Sequence, residues 1–192
     1  MTNGITVVTA ATREPVSLQE VRDHCRIDSS LEDGLIAGYI MAARSHIELL
    51  TGRVFAPQTL EFSTDSFQDS EGEDEICLPI CPVQSIVSIT YIDQAGVTQT
   101  LSPGAYAANL KREPVEIEPV WGSVFPIARD IDNSVTVQFT AGYPLGNLPE
   151  PLRQAIFMLV SHFEKNRSAV TIGGSVSSMP FSVDALIANY RV

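Results

Sequence analysis

Basic residues, cysteines and long hydrophobic runs are all scarce in this sequence. It has 12 Lys and Arg against 23 Asp and Glu, a formal net charge of -11. Because affinity for nucleic acid comes mainly from cations that neutralise phosphates, this balance excludes a protein that grips DNA or RNA. Apolar runs such as residues 36–43 are too short to cross a bilayer, and no signal-peptide pattern opens the chain. We therefore expect a protein that remains in the cytoplasm where it is made.

The three cysteines are too few, and too poorly spaced, for a disulfide framework or a zinc site. Their number is odd, which favours reduced thiols, and Cys77 and Cys81 form the only close pair without two further ligands at workable spacing. The histidines are scattered, at His24, His46 and His162. We predict no metal, no cofactor and no catalytic residue. A nucleophilic pair that meets only in space, such as Cys25 with a distant His, stays open.

Helical periodicity is found near both ends of the chain. Ser17 and Glu20 have capping-box spacing, which predicts a helix over 17–25. Ser29 and Glu32 repeat that spacing before a predicted helix over 30–51, and Gly52 is placed to end it. Its apolar stripe is Leu31, Leu35, Tyr39, Ala43, Ile47 and Leu50. Further helices are predicted over 150–167, after Pro149, and over 182–190, capped by Ser182.

Between the helical segments, from about 55 to 143, apolar and polar residues alternate with a period of two. This pattern predicts strands over 59–67, 76–78, 85–92, 97–101, 106–110, 115–118 and 135–140. Asp93 to Gly96 is typical of a hairpin turn. The predicted fold class is therefore α+β, a small helical core with a large antiparallel β insertion at about 55–143, in one domain of residues 1–192.

An acidic run lies at the start of the β insertion, and no Lys or Arg occurs between Arg53 and Lys111. The run lacks the ligand spacing of a calcium-binding loop, which favours a solvated acidic surface. We predict that surface at Asp65, Asp69, Glu71, Glu73, Asp74 and Glu75.

Several short motifs follow one another in a fixed order along the chain. They are the segments 14–21 with 26–28, 48–53, 78–79 with 82–86, 91–93 with Gly96, 139–143, 149–156, 164–167, and 180–186 with 190–191. From about residue 13 to the end, this order resembles the head-tail connector (adaptor, or head completion) proteins of long-tailed phages and related gene-transfer agents. The resemblance implies a structural protein of the virion, at the head–tail interface, assembled in the cytoplasm of the bacterial host.

The resemblance also implies partners. Such proteins form a ring, commonly of twelve copies, beneath the portal protein and above a tail-side stopper protein, and DNA passes through the lumen. An acidic subunit suits a lumen that must not hold DNA, because like charges repel. Two alternatives stay open: the tail-side stopper itself and, in a different class, a small cytoplasmic enzyme or ligand-binding domain.

The C-terminal residues 172–192 are predicted to be a flexible linker followed by a docking segment. Residues 172–178 are rich in Gly and Ser, and apolar side chains follow them. Apolar residues beyond a linker favour burial against a partner, so we predict that the segment binds the portal or a neighbouring subunit. The predicted docking residues are Phe181, Val183, Leu186, Tyr190 and Arg191. The alternative is that the segment folds back onto its own helices.

Overall fold

The computed structural model describes residues 4–68, 72–167 and 181–192, which contain four α-helices and eight strands in two antiparallel sheets. The predicted α+β fold class is confirmed. The described residues form two compact units. We call residues 12–55 with 144–191 the helical unit, and 4–11 with 56–143 the β unit.

The helical unit contains α1 (Leu18–Cys25), α2 (Asp33–Thr51), α3 (Glu150–Lys165) and α4 (Phe181–Ile187), followed by a 3₁₀ turn at Ala188–Tyr190. Its core is mainly aliphatic, with the buried rings of Phe55 and Phe157. Buried members include Val21, Ile36, Ile40, Ile47, Leu152, Ile156 and Val160. Among the described residues, no helix is both long enough and apolar enough to cross a membrane.

The capping box at the start of α1 is confirmed. The Ser17 hydroxyl accepts the Glu20 N–H at 3.2 Å, and the Glu20 carboxylate accepts the Ser17 N–H at 2.7 Å. The Ser17 N–H is the main cause of the lowered pKa of Glu20, and Arg153 of α3 lowers it further. Val16 and Val21 are both buried beside the cap. This end of the helix is therefore fixed by hydrogen bonds and by apolar packing.

The second predicted capping box is wrong. α2 begins at Asp33, three residues later than expected, and no side chain caps it. The Ser29 hydroxyl accepts the Leu31 N–H, and Glu32 accepts two hydrogen bonds from the Arg167 guanidinium at 2.6 and 2.7 Å. Because α2 begins at Asp33, Glu32 is the residue that precedes the helix, and Ser29 lies too early in the chain to cap it.

The apolar stripe predicted for α2 is only partly correct. Ala43 and Ile47 are buried, but Leu31 is 93% exposed and Leu35 is also exposed. Ile36 and Ile40 take the buried positions instead. The helix is apolar on more than one face, so periodicity alone selects the wrong leucines.

Two helix ends also differ from the prediction. α3 ends at Lys165, so Arg167 lies beyond it. Ser182 lies inside α4 and does not cap it, because the helix begins at Phe181. Phe163 is half-buried, with its ring 5.9 Å from that of Tyr39.

All seven predicted strands are present in the β unit, and an eighth precedes them. The strands are β1 (Gly4–Thr9), β2 (Gln58–Thr64), β3 (Ile76–Leu78), β4 (Val83–Ile92), β5 (Thr98–Thr100), β6 (Tyr106–Ala108), β7 (Val115–Pro119) and β8 (Val135–Ala141). One sheet has the order β1-β2-β8-β4-β5 and the other β3-β7-β6. Alternate residues of β2 and β8 are buried, as a half-buried sheet requires.

Two glycines have positions that other residues would strain. Gly142 follows β8 with φ +114°, and a Cβ there would lie 2.4 Å from the Ala56 carbonyl oxygen. Gly96 closes the predicted β4–β5 hairpin with φ +84°. In that turn the Asp93 carboxylate accepts the N–H groups of Val97 and Ala95, which lowers the pKa of Asp93. The hairpin prediction is confirmed.

Candidate assembly surfaces

One face of α2 is exposed and carries no charge. The exposed residues of the helix between Gly34 and Leu49 include no Asp, Glu, Lys or Arg. We call this set the α2 outer face: Gly34, Leu35, Ala37, Gly38, Met41, Ala42, Ser45, His46 and Leu49. A surface helix normally places its charged side chains on the face away from the core. An exposed face without them is therefore a candidate contact surface.

The charged residues of α2 are engaged away from that face. Arg44 is half-buried and pairs with Glu14 at 2.6 Å and with Glu48 at 2.7 Å. Glu48 also accepts the N–H of Phe55 at 2.7 Å. Burial raises the pKa of Glu48, because the loss of water outweighs the stabilisation of its charge by the Phe55 N–H and Arg44. These groups stabilise the helical unit and are not available to a ligand.

A second exposed apolar surface is the loop that follows β7. We call residues 120–127 the Trp121 loop. Trp121 is fully exposed, and Val124 and Ile127 are 78% and 79% exposed. Phe125 anchors the loop, because it is buried and stacks on Phe67 with ring centroids 4.6 Å apart. The loop thus presents three large apolar side chains from a fixed base.

The predicted acidic surface is only partly exposed. Asp65 is half-buried, and its carboxylate accepts the Asn133 N–H at 3.0 Å. Glu73 is exposed, while Asp74 and Glu75 are half-buried. Asp69 and Glu71 lie outside the described residues. Asp65 therefore holds a turn of the β unit and contributes little free negative surface.

Glu75 belongs to a cluster that the sequence prediction did not contain. The carboxylate oxygens of Glu75, Glu116 and Glu118 lie within 4.8 Å of one another, and Glu116 also pairs with Arg112. Strand register explains the cluster, since Ile76 lies opposite Ile117. The alternation of residues 115–118 is the signal that places Glu116 and Glu118 on one face. Exposed acidic clusters are common without a metal, so the group carries no metal assignment.

The cysteines differ in burial, and none forms a disulfide. Cys81 is buried, Cys25 is half-buried and Cys77 is exposed. Partial burial raises the pKa of the Cys77 thiol, and the negative charges of Glu75 and Glu116 raise it further. Burial also raises the pKa of Cys25. Both shifts disfavour the thiolate, which is the reactive form.

Two clefts in the β unit lack the geometry of a hydrolytic site. One is lined by residues that include Ser66, Phe67 and Asp74, and the other by residues that include Glu73, Trp121 and Ser123. The serine hydroxyls donate to the backbone carbonyls of Gln68 and Val120 at 3.0 and 2.6 Å, and not to a base. No histidine is among the described residues that line them.

The C-terminal segment packs within the helical unit. Val183 and Ile187 are completely buried, whereas Leu186 and Tyr190 are half-buried. Residues 168–180 lie outside the described residues, as does the side chain of Phe181. The folded-back arrangement therefore accounts for Val183, while the predicted docking role of the other residues stays a prediction.

Arg53, which the sequence prediction did not include, holds the end of this segment. Its Nε donates to the Tyr190 carbonyl at 2.6 Å, and its guanidinium lies 5.8 Å from the Tyr190 ring centroid. Arg191 pairs with Asp184 at 3.0 Å, and both side chains are largely exposed. The contact joins residues 137 positions apart, and no local pattern marks it.

Charge is divided very unequally between the units. The sequence of the β unit holds 13 acidic and three basic residues, a formal charge of -10. The helical unit holds 10 acidic and nine basic residues, a formal charge of -1. The β unit is therefore the part of the molecule that repels other negative charges, and the helical unit is nearly neutral.

The uncharged face of α2 and the exposed Trp121 loop are surfaces that suit contacts with other proteins. The family model of the head completion proteins matches residues 14–192. The chain belongs to the head completion protein family, whose members are structural proteins of the head–tail junction. The resemblance seen in the sequence is thereby confirmed.

Solved structures of gene transfer agent (GTA) particles contain similar chains. A chain in the neck of an empty GTA particle, computed with C6 symmetry, has a TM-score of 0.79 and 27% identity, over 98% of this chain and 95% of that one. A chain of the native GTA virion has a TM-score of 0.76 and 26% identity, over 97% and 94%. A chain in the native neck, computed with C12 symmetry, has a TM-score of 0.74 and 27% identity, over 98% and 94%. No curated protein sequence matches significantly.

Proposed function

We propose that this protein is an adaptor subunit of the head–tail neck, where identical copies form a ring beneath the portal and join the capsid to the tail. The observation that carries the proposal is the likeness, over nearly the whole of both chains, to a neck chain in a particle computed with C12 symmetry. The number of copies expected in the virion is therefore twelve.

The charge distribution supports a DNA channel through this ring. Copies that each carry a formal charge of -11 repel DNA and give its phosphates few cations to bind. DNA can then move through the lumen without being held there. The partners in this proposal are the portal protein on the capsid side and the stopper protein on the tail side, with no sequence-specific binding of nucleic acid.

Binding to the portal ring from the same genome tests the function. The full chain is mixed with purified portal rings and sedimented, and saturation at about one copy per portal subunit is expected from matching ring symmetry. In a parallel experiment the full chain is mixed with the stopper protein, and the binding to the two partners is compared. Binding to the stopper but not to a native portal ring would identify a protein of the tail side. Binding to neither would reject a place in the neck.

The C-terminal docking residues need a separate test, because removing the segment would also remove Val183 and Ile187 from the core. Leu186→Ala combined with Tyr190→Ala alters half-buried side chains, and Arg191→Glu reverses an exposed charge. If the segment docks on the portal, these variants weaken co-sedimentation at a temperature at which all of them remain folded. Unchanged portal affinity would show that the segment serves only its own helices.

A further inference from the structure

The α2 outer face has the properties of a protein contact that is uncovered in the single chain. From Gly34 to Leu49 it extends for about 24 Å. Leu49 is 83% exposed, and Met41 and Leu35 are 53% and 42% exposed. A helix that is apolar beyond its core-facing stripe is normally buried on both sides. This face is therefore expected to be covered in the assembled particle.

The middle of the α2 outer face carries small side chains, which protrude little from the helix. Gly38, Ala42 and Ser45 lie between the larger Leu35 and Leu49, at spacings of three and four residues. A Cβ built on Gly38 would meet no atom of the described residues within 4 Å, so none of them occupies the space above it. From the sizes of these side chains we infer a shallow depression between the two leucines, which suits a projecting apolar side chain.

The Trp121 loop carries exposed apolar side chains that could fill this depression in another copy. Its three exposed apolar side chains stand on a base held by Phe125, and aromatic residues such as Trp dominate the energy of protein interfaces. A cyclic ring needs two different, complementary surfaces on every copy, because each copy contacts its two neighbours through different patches. The low α2 outer face and the protruding Trp121 loop are such a pair.

Charge favours this pairing over a contact between two β units. The Trp121 loop lies beside Glu73, Asp74, Glu75 and Glu118, which line the same cleft as Trp121. Against another β unit these carboxylates would meet like charges, whereas the α2 outer face offers none. A second copy can therefore receive the loop without placing acid against acid.

We propose that, in the ring, the Trp121 loop of one copy lies on the α2 outer face of the next copy. This inference rests on the proposed ring. A contact of one loop with one helix face covers a few hundred Å² per copy, which is less than the roughly 800 Å² per partner of a stable interface. The isolated protein is therefore monomeric when dilute, and the ring closes when the portal holds the copies side by side.

Cysteine cross-linking tests the contact directly. Ser45→Cys places a thiol on the α2 outer face and Ser123→Cys places one in the Trp121 loop; both serines are exposed, and both changes nearly preserve size. The background variant Cys77→Ser removes the native exposed thiol. Full-length variants are saturated onto portal rings, treated with a short bismaleimide and separated by size under denaturing conditions.

The expected result is a ladder of dimers, trimers and larger species from the double variant, with no ladder from the background or from either single variant. Dimers from Ser45→Cys alone would show that two α2 faces pair with each other, and a product of Ser45→Cys with the portal would make the portal the occupant. Either result overturns the inference, as does portal binding without any cross-link. If the background variant does not bind the portal and no ladder forms, the proposed adaptor function itself is rejected.

A charge variant gives a second readout. Ala42→Glu places a carboxylate in the depression, and Thr100→Glu places one on exposed β5 as the matched control. Ala42→Glu is expected to raise the protein concentration that half-saturates the portal rings by at least about tenfold, the effect of about 1.4 kcal/mol on the apparent Kd. The melting temperatures of both variants should stay close to that of the parent. Equal binding by the two variants would reject the α2 outer face as an interface.

Discussion

Ser17 and Ser29 occupy the same position of the same four-residue pattern, yet only Ser17 caps a helix. Both are followed three residues later by a glutamate. Glu20 reaches back to the Ser17 N–H, while Glu32 is held by Arg167, which is 135 residues away. Glu20 also pairs with a distant cation, Arg153, so the difference lies in where each helix begins. α1 begins directly after Ser17, whereas α2 begins at Asp33, four residues after Ser29. Local spacing therefore predicts a capping box correctly only where the helix begins directly after the serine.

Alanine at each serine should separate the two roles. Ser17→Ala is expected to lower the free energy of unfolding by about 1 kcal/mol, because the N–H of Glu20 loses its acceptor. Ser29→Ala, the matched control, should change it by less than about 0.5 kcal/mol, as for other exposed surface changes. Urea denaturation measures both. Equal losses would contradict the assignment of the cap to Ser17 alone.

At the scale of elements, the sequence predicts the helices and strands that have a single apolar face. It fails for elements that have two apolar faces or none. β2 and β8 alternate regularly and were predicted within a few residues of their ends. β1 was missed because all six of its residues are exposed, so its pattern marks no buried side. The outer leucines of α2 were assigned to the core for the opposite reason, since both sides of that helix are apolar. The candidate surfaces followed from solvent exposure, which periodicity does not report.

α4 is expected to stabilise the helical unit even in the absence of any partner. Ile187→Ala removes buried methyl and methylene groups from a completely buried position and should cost about 2–4 kcal/mol of unfolding free energy. The exposed Asn189→Ala is the control and should cost less than about 0.5 kcal/mol. Denaturant titration of the isolated chain measures the free energy of unfolding of both variants. An unaffected Ile187 variant would mean that α4 needs a partner to be buried.

For the whole molecule, the dominant property is the concentration of negative charge in the β unit. The acidic composition is visible in the sequence, and the prediction against nucleic-acid binding rests on it. Its division between the units was not visible, because each unit is assembled from separated segments of the chain. Only the fold shows that the helical unit is nearly neutral.

Salt should therefore favour association between copies. Raising the ionic strength from about 0.05 to 0.5 M shortens the screening length to well below 10 Å, which weakens repulsion between β units but leaves apolar contacts intact. Sedimentation velocity at high protein concentration should show larger species as salt increases. A variant with Glu73→Gln and Glu75→Gln, which has less charge to screen, should respond less. Dissociation by salt would indicate that ion pairs, and not apolar surfaces, join the copies.

The discontinuity of both units has a consequence for synthesis on the ribosome. The β unit has its last strand once residue 141 has left the exit tunnel, while α1 and α2 lack α3 and α4 until residues 150–187 have also emerged. A nascent chain thus carries two helices with unburied apolar faces while about a hundred further residues are added, a period in which such faces invite aggregation. The early helices of this protein are accordingly expected to be clients of a ribosome-associated chaperone.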